Sequence, residues 1–157
     1  MEKNIKPRYK ILGKIYFIAY LIILVYLLFF AEVFGRMENP LAERSYNIEP
    51  FKEIMRFYKY RHTLGMVAFM INVPGNVVAF IPFGFFIPII SKYKMGMLKT
   101  VFMGMLFSLG VEGIQFIVNV GSFDIDDIIL NTLGSVIGYT VFLIGNIIWH
   151  RLEKNTV

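Results

Sequence analysis

Residues 97–149 read MLKTVFMGMLFSLGVEGIQFIV, then NVGSFDIDD, then IILNTLGSVIGYTVFLIGNIIW. Two long apolar runs, 97–118 and 128–149, flank a short turn that holds Asp124, Asp126 and Asp127 but no lysine or arginine. Each run is longer than the 18 to 20 residues, roughly, needed to cross a hydrocarbon core of about 30 Å. Polar groups stand close to the turn on both sides: Glu112 and Gln115 before it, Asn131 after it. Carboxylates are costly in hydrocarbon, at roughly +2.5 to +3.5 kcal/mol for a central charge on insertion scales. The pair therefore reads as a transmembrane hairpin whose one end is polar.

Two further apolar runs, 11–33 and 63–90, precede it. The chain has 157 residues and is 57% hydrophobic, with a mean hydropathy of +0.62. A soluble domain would spread its apolar residues with amphipathic periodicity, and here they come in blocks. The expected fold is an all-α integral membrane bundle of four transmembrane helices, a single domain over 1–157 with an outer loop at 34–62. The first run is longer than a signal h-region, and Ala31-Glu32-Val33 lacks a small-x-small cleavage site, so it reads as a retained span. With no cysteine, disulfides, thiolate nucleophiles and Cys-ligated metals are excluded.

Lys3, Lys6, Arg8, Lys10 and Lys14 precede or open the first span, and Lys92, Lys94 and Lys99 lie in or beside the second loop. Arg151 and Lys154 follow the last span. The positive-inside bias places both termini and that loop in the cytoplasm, and the aspartate turn outside. The first loop carries basic residues largely offset by acids. Topology thus accounts for the net charge of +5, and no basic face for nucleic acid remains.

In the outer loop, Phe51, Ile54, Met55 and Tyr58 recur at helical spacing after Pro50, with Lys52, Glu53, Arg56 and Lys59 opposite. Proline at the first position is a helix start. An amphipathic helix beside a span is expected to lie in the membrane interface, or else to pack on the end of the bundle. Pro74, Pro82 and Pro88 interrupt the second span, since each removes a backbone donor and disfavours helix before it. That span is expected to be broken, with 62–73 as a separate short helix or re-entrant piece. Broken backbone at membrane depth needs protein or a wet cavity around it, which points to Asn72 and Asn76.

Gly104, Ser108, Glu112 and Gln115 share one helical face; so do Asp124, Asp127, Asn131, Gly134 and Gly138. Small residues at such spacing let helices approach closely. The two faces are expected to pack together. Glu112 lies about two turns, roughly 10 Å, below the turn, where an acid must be protonated, paired or wetted. The bland reading is interhelical glue between Glu112 or Gln115 and an amide or carbonyl. An aspartate is favoured at a helix N-cap, and one of the three is expected to be that cap. The candidate ligand-binding set is Asn72, Asn76, Ser108, Glu112, Gln115, Asp124, Asp126, Asp127 and Asn131. Oxygen ligands of this kind suit Mg²⁺ or Ca²⁺, but no spacing is diagnostic, and no metal, cofactor or catalytic residue is assigned. His62 and His150 stand far apart, on opposite sides. Ser108 has no orienting partner for nucleophilic work.

These motifs resemble the VanZ-like membrane protein family. The resemblance rests on Asn47-Ile48-Glu49-Pro50-Phe51, on Asn76 with Ile81-Pro82-Phe83-Gly84, and on Ser108, Glu112 and Gln115 in their spacing. It is strongest over Phe123–Gly134 and continues to Gly138-Tyr139, covering roughly Arg44 to Tyr139. It implies a bacterial plasma-membrane protein associated with resistance to glycopeptides of the teicoplanin type, with no settled mechanism. An arginine expected in such proteins near Gly121-Ser122 is absent, which weakens any phosphate-clamping reading of that turn.

Together these readings lead to an outward-facing polar pocket for a membrane lipid or a lipid-tailed glycopeptide, with the helix after Pro50 as its lid. An intramembrane enzyme acting on an envelope precursor and a purely structural protein are the alternatives.

Overall fold

The computed structural model describes residues 7–37, 46–91 and 95–155. Lys3, Lys6, Lys92 and Lys94, on which the orientation partly rests, lie outside the described residues, as do the part of the outer loop over 38–45 and the start of the resemblance at Arg44. Helix α1 spans Pro7–Met37, α2 Lys52–Lys59, α3 Met66–Met70, α4 Asn76–Ile90, α5 Met97–Ile117 and α6 Ile125–Asn155. Two short strands, β1 at Tyr46–Asn47 and β2 at Phe123–Asp124, are the non-helical addition to an all-helical plan.

Four helical stretches are long and apolar enough to cross a membrane: Ile11–Phe29, Met66–Ile90, Met97–Ile117 and Ile125–Leu152. A chain with four such stretches is a multi-pass membrane protein. The last begins three residues before the expected 128 because Asp124 caps it, as shown below.

Within 62–73 the chain forms the short helix α3, Met66–Met70. From Met66 the path stays helical to Ile90, and Pro82 and Pro88 lie inside α4. Pro74 lies inside a π-helical segment, Ile71–Gly75, that joins α3 to α4. The wider i→i+5 turn tolerates the donor that proline lacks.

Helix α4 is the centre of the bundle. It packs most extensively on α6, with α1 on its other side, while α5 packs chiefly on α6. The α4–α6 contact is close because glycines face backbone. A Cβ at Gly134 would collide with the Val77 carbonyl, one at Gly138 with the Ile81 carbonyl, and one at Gly84 with the Ser135 carbonyl. Small residues at these points replace the hydrophobic drive that lipid does not supply. Gly134 and Gly138 of α6 therefore meet α4 rather than the small-residue face of α5. The polar members of the two faces do meet, Ser108 with Asn131 and Glu112 with Asp124, and Gly104 of α5 lies against the Ser135 side chain.

Aromatics hold α1 in place. Phe17, Leu24, Phe80, Phe83 and Ile87 form the buried apolar cluster. Phe83 lies 5.7 Å from Phe17 and 5.4 Å from Phe107, ring centre to ring centre. These separations suit edge or offset aromatic contact. The Tyr20 hydroxyl also donates to the Ala79 carbonyl at 2.7 Å.

Candidate functional site

The turn between α5 and α6 sets the geometry of the polar end. Asn119 adopts φ 57°, a left-handed conformation that asparagine tolerates. The amide of Val120 donates back to the Gln115 carbonyl at 3.1 Å. The chain then pairs in parallel with the first loop, Tyr46 opposite Phe123 and Asn47 opposite Asp124. This brings the Asn47–Phe51 motif onto the aspartate run, although 77 residues separate Asn47 from Asp124.

Each of the three aspartates does a different job. Asp124 caps its own helix, its Oδ1 accepting the Asp126 amide at 2.9 Å and the Asn47 side-chain amide at 2.9 Å. Asp126 caps another helix. Its two carboxylate oxygens accept the amides of Phe51, Glu53 (2.8 Å) and Ile54 (3.1 Å), the free donors at the start of α2. Asp127 accepts the Asn76 side-chain amide and so joins α6 to α4. The expectation that one aspartate is the cap of its own helix is met by Asp124. The remaining two are used across the bundle.

The other candidate residues fall into pairs. Glu112 Oε2 accepts the Asp124 amide at 3.1 Å. Asn131 donates to the Ser108 hydroxyl at 2.8 Å, and the Ser135 hydroxyl donates to the Asn131 carbonyl at 3.2 Å. Gln115 turns toward α1 and donates to the Leu28 carbonyl at 3.4 Å. Asn72 bonds within its own helix, to Ala68 O at 2.8 Å, and Asn76 also donates to Asn72 O at 3.1 Å. Eight of the nine candidates thus engage across elements or line the junction, and Asn72 alone is engaged only with its own helix.

Burial is deep. Ser108, Glu112, Gln115, Asp126 and Asn131 are all buried, with Glu112 at 5% and Asn131 at 2% exposure. Buried polar groups are normally paired. The side-chain oxygen of Asn131 is buried without a hydrogen-bond partner. At the rim, burial pushes the Asp124 carboxyl above its ordinary range, against hydrogen bonds from the Asp126 amide and Asn47. Burial likewise raises the Glu53 carboxyl, opposed by Arg56, which pairs with it at 2.7 Å.

Such an arrangement offers acceptors more than acid–base chemistry: carboxylates and an amide oxygen facing donors. Among the described residues, no three His, Cys, Asp or Glu side chains group closely enough to hold a metal ion. Two adjoining apolar grooves lie deeper, between α1 and α5. One, of about 300 Å³, is lined by Phe17, Leu21, Phe83, Ile87, Met103, Leu106 and Phe107. The other, of about 500 Å³, is lined by Leu21, Ile22, Val25, Tyr26 and Phe107. Neither contains any of the nine candidates.

Sequence reasoning placed the polar end but missed Asn47, the β1–β2 pairing and the destination of Asp126. The signal available was the Asn47–Phe51 motif itself, whose polar and turn-forming residues have no role within the amphipathic pattern that follows.

The VanZ/LLP1 family model matches residues 17–148. Protein VanZ of Enterococcus faecium is 31% identical over 138 residues, covering 87% of this chain and 77% of that protein. No solved structure matches.

Proposed function

The chain belongs to the VanZ/LLP1 family, and from that premise we propose that it is a plasma-membrane protein lowering bacterial sensitivity to lipid-tailed glycopeptides. In this reading the whole chain, 1–157, is one domain with both termini in the cytoplasm and the aspartate-rich end facing outward. That end receives the polar part of an amphiphile, either a lipoglycopeptide of the teicoplanin type or an envelope lipid. The absence of lysine and arginine from 119–127 supports the orientation.

The single observation that carries the reading is the Asn131 oxygen. It is buried and unpartnered at the junction of α5 and α6, one helical turn beyond Asp127. Leaving such an acceptor unmade costs about 1–3 kcal/mol. The amide of the same side chain is used in helix packing, through its bond to Ser108, while the oxygen is left over. A hydroxyl or amine of a ligand would supply the missing donor, with Asp127 one helical turn away on the same helix.

Helix α2 is proposed to lie in the interface plane. Phe51, Met55 and Tyr58 remain more than half exposed, as do Tyr46 and Ile48, while Lys52, Arg56 and Lys59 can meet headgroups. The grooves between α1 and α5 are proposed to take the apolar tail. Their walls are large side chains with no glycine, alanine or serine, unsuited to close approach by another helix but open to a flexible chain.

The test is Asn131→Leu, expressed in a susceptible host. If the oxygen serves a ligand, teicoplanin tolerance disappears in Asn131→Leu at unchanged membrane abundance but persists in Ser108→Ala, which loses the same interhelical bond. Retained tolerance in Asn131→Leu would remove the ligand from the account.

A second, structural reading has one observation in its favour: every aspartate of the run is already engaged within the protein. It predicts that polar substitutions preserving the hydrogen bonds, such as Glu112→Gln, leave every phenotype unchanged.

A further inference from the structure

Of the polar residues assigned to the ligand, Glu112 and Asn131 are buried, while Asn76, Asp124 and Asp127 are half-buried. Asp124 is covered by Asn47 through a 2.9 Å hydrogen bond, and Glu112 lies beneath the Asp124 amide. A ligand gains full access to this end only if something moves, and the segment over Asp124, residues 46–59, has the makings of a moving part.

Its apolar attachment is slight. Helix α2 contains no buried residue, and only Glu53, Ile54 and Phe57 are half-buried within it. An eight-residue helix does not hold itself together in isolation. Its anchorage is concentrated in one side chain. Asp126 is 1% exposed and collects the amides of Phe51, Glu53 and Ile54. Phe51 stands at φ 68°, a left-handed conformation that a bulky residue adopts only when its surroundings impose it. The imposing contact is the bond from its own amide to Asp126. At the far side of the segment, Gly65 has φ 95° at the entry to α3, which gives a pivot few other residues would allow.

We propose that residues 46–59 are a movable lid over the polar end and that Asp126 is its clasp, a positioning residue that governs access rather than a group that touches the ligand. The strained backbone at Phe51 opposes the clasp, so loss of the clasp favours release. When the carboxylate releases the three amides, Phe51 relaxes, the short parallel bridge parts and Asp124 is uncovered. Asp126 thereby leaves the set of candidate ligand groups, and Glu112, Asp127 and Asn131 remain in it. The role in access rests on the ligand reading above; the motion itself does not.

The chain has no cysteine, so labels can be placed without background. Spin labels at Ile48 and Ile117, both exposed, report the lid against the bundle in nanodiscs. Labels at Ile117 and Leu133, also exposed, report the bundle alone. The unaltered protein should give one short lid distance. Asp126→Asn keeps the volume but sets an amide against three donors, and should shift part of the distribution to a longer distance with the bundle pair unchanged. Phe51→Gly added to Asp126→Asn relieves the strain and should return the distribution toward the short distance. An unshifted lid pair in Asp126→Asn, or equal shifts in both pairs, would overturn the clasp.

A ligand-dependent arm separates motion from access. Tyr46 and Phe123 are register partners, and strand neighbours lie within the roughly 4.4–6.8 Å Cα separation that a disulfide spans. Tyr46→Cys with Phe123→Cys should abolish teicoplanin tolerance when oxidised and restore it on reduction. Tolerance indifferent to the lock would overturn the lid's role in access and leave the binding reading to its own test at Asn131.

Discussion

The carboxylate of Glu112, within α5, accepts the backbone amide of Asp124, which lies in the strand leading into α6, at 3.1 Å. An acid from the middle of one apolar run thus fixes the point where the next begins. Glu112→Gln keeps an acceptor for that amide and should leave stability within about 1 kcal/mol. Glu112→Leu leaves the amide bare and should cost about 1–3 kcal/mol. Unfolding in detergent, followed by the heat-induced loss of helicity, measures both.

Gly138 faces the Ile81 carbonyl with no room for a Cβ, whereas Gly145 on the same helix faces open space. Gly138→Val should therefore push α4 from α6 and destabilise by about 1–3 kcal/mol. Gly145→Ala should be neutral or slightly stabilising, by up to about 1 kcal/mol, because alanine is the better helix former. Thermal midpoints of the two purified variants compare them directly.

Docking of the first loop should strengthen as pH falls. Asp124 faces Asp126, Arg56 and Asn47; Glu53 faces Arg56, Asp124, Asp126 and Lys52. Burial, the largest influence on both, raises the two carboxyls above their ordinary values when the loop is docked. The docked form therefore binds more protons than the released form. Its stabilisation is complete below the ordinary carboxylate range near about pH 4. It is lost as pH climbs through the raised values. A spin label at Ile48 should report a more immobile loop at mildly acidic pH than at neutral pH.

Leu21 lines both grooves between α1 and α5. Leu21→Trp should fill them and reduce tolerance of an acylated glycopeptide, with membrane abundance unchanged. Dose–response curves for the acylated drug and for its deacylated form would show whether the effect depends on the tail.

Much of this was legible beforehand because membrane crossing leaves a strong mark in sequence. Apolar run lengths placed the four helices to within a few residues, and carboxylates in those runs could only gather where partners exist. What periodicity cannot supply is the identity of the partner. It put Gly134 and Gly138 on one face but could not say that α4, rather than α5, presses against them. It gave one of the three aspartates as a cap but not the second helix that Asp126 caps, since an aspartate at the start of one helix suits the amides of another equally well. The two-residue bridge between Asn47 and Asp124 is too short to leave any pattern of its own.

The π-helical stretch around Pro74 has a consequence for every homologous comparison of this region. A turn closed by i→i+5 bonds holds one residue more than an α-helical turn, and one residue corresponds to about 100° of rotation. A chain lacking a single position between Ile71 and Gly75 would keep its hydrophobic span yet point Ala68 and Phe69 in a new direction. Such a deletion would pass unnoticed in a hydropathy plot while turning the upstream helix away from Tyr58, whose ring now lies 6.4 Å from that of Phe69.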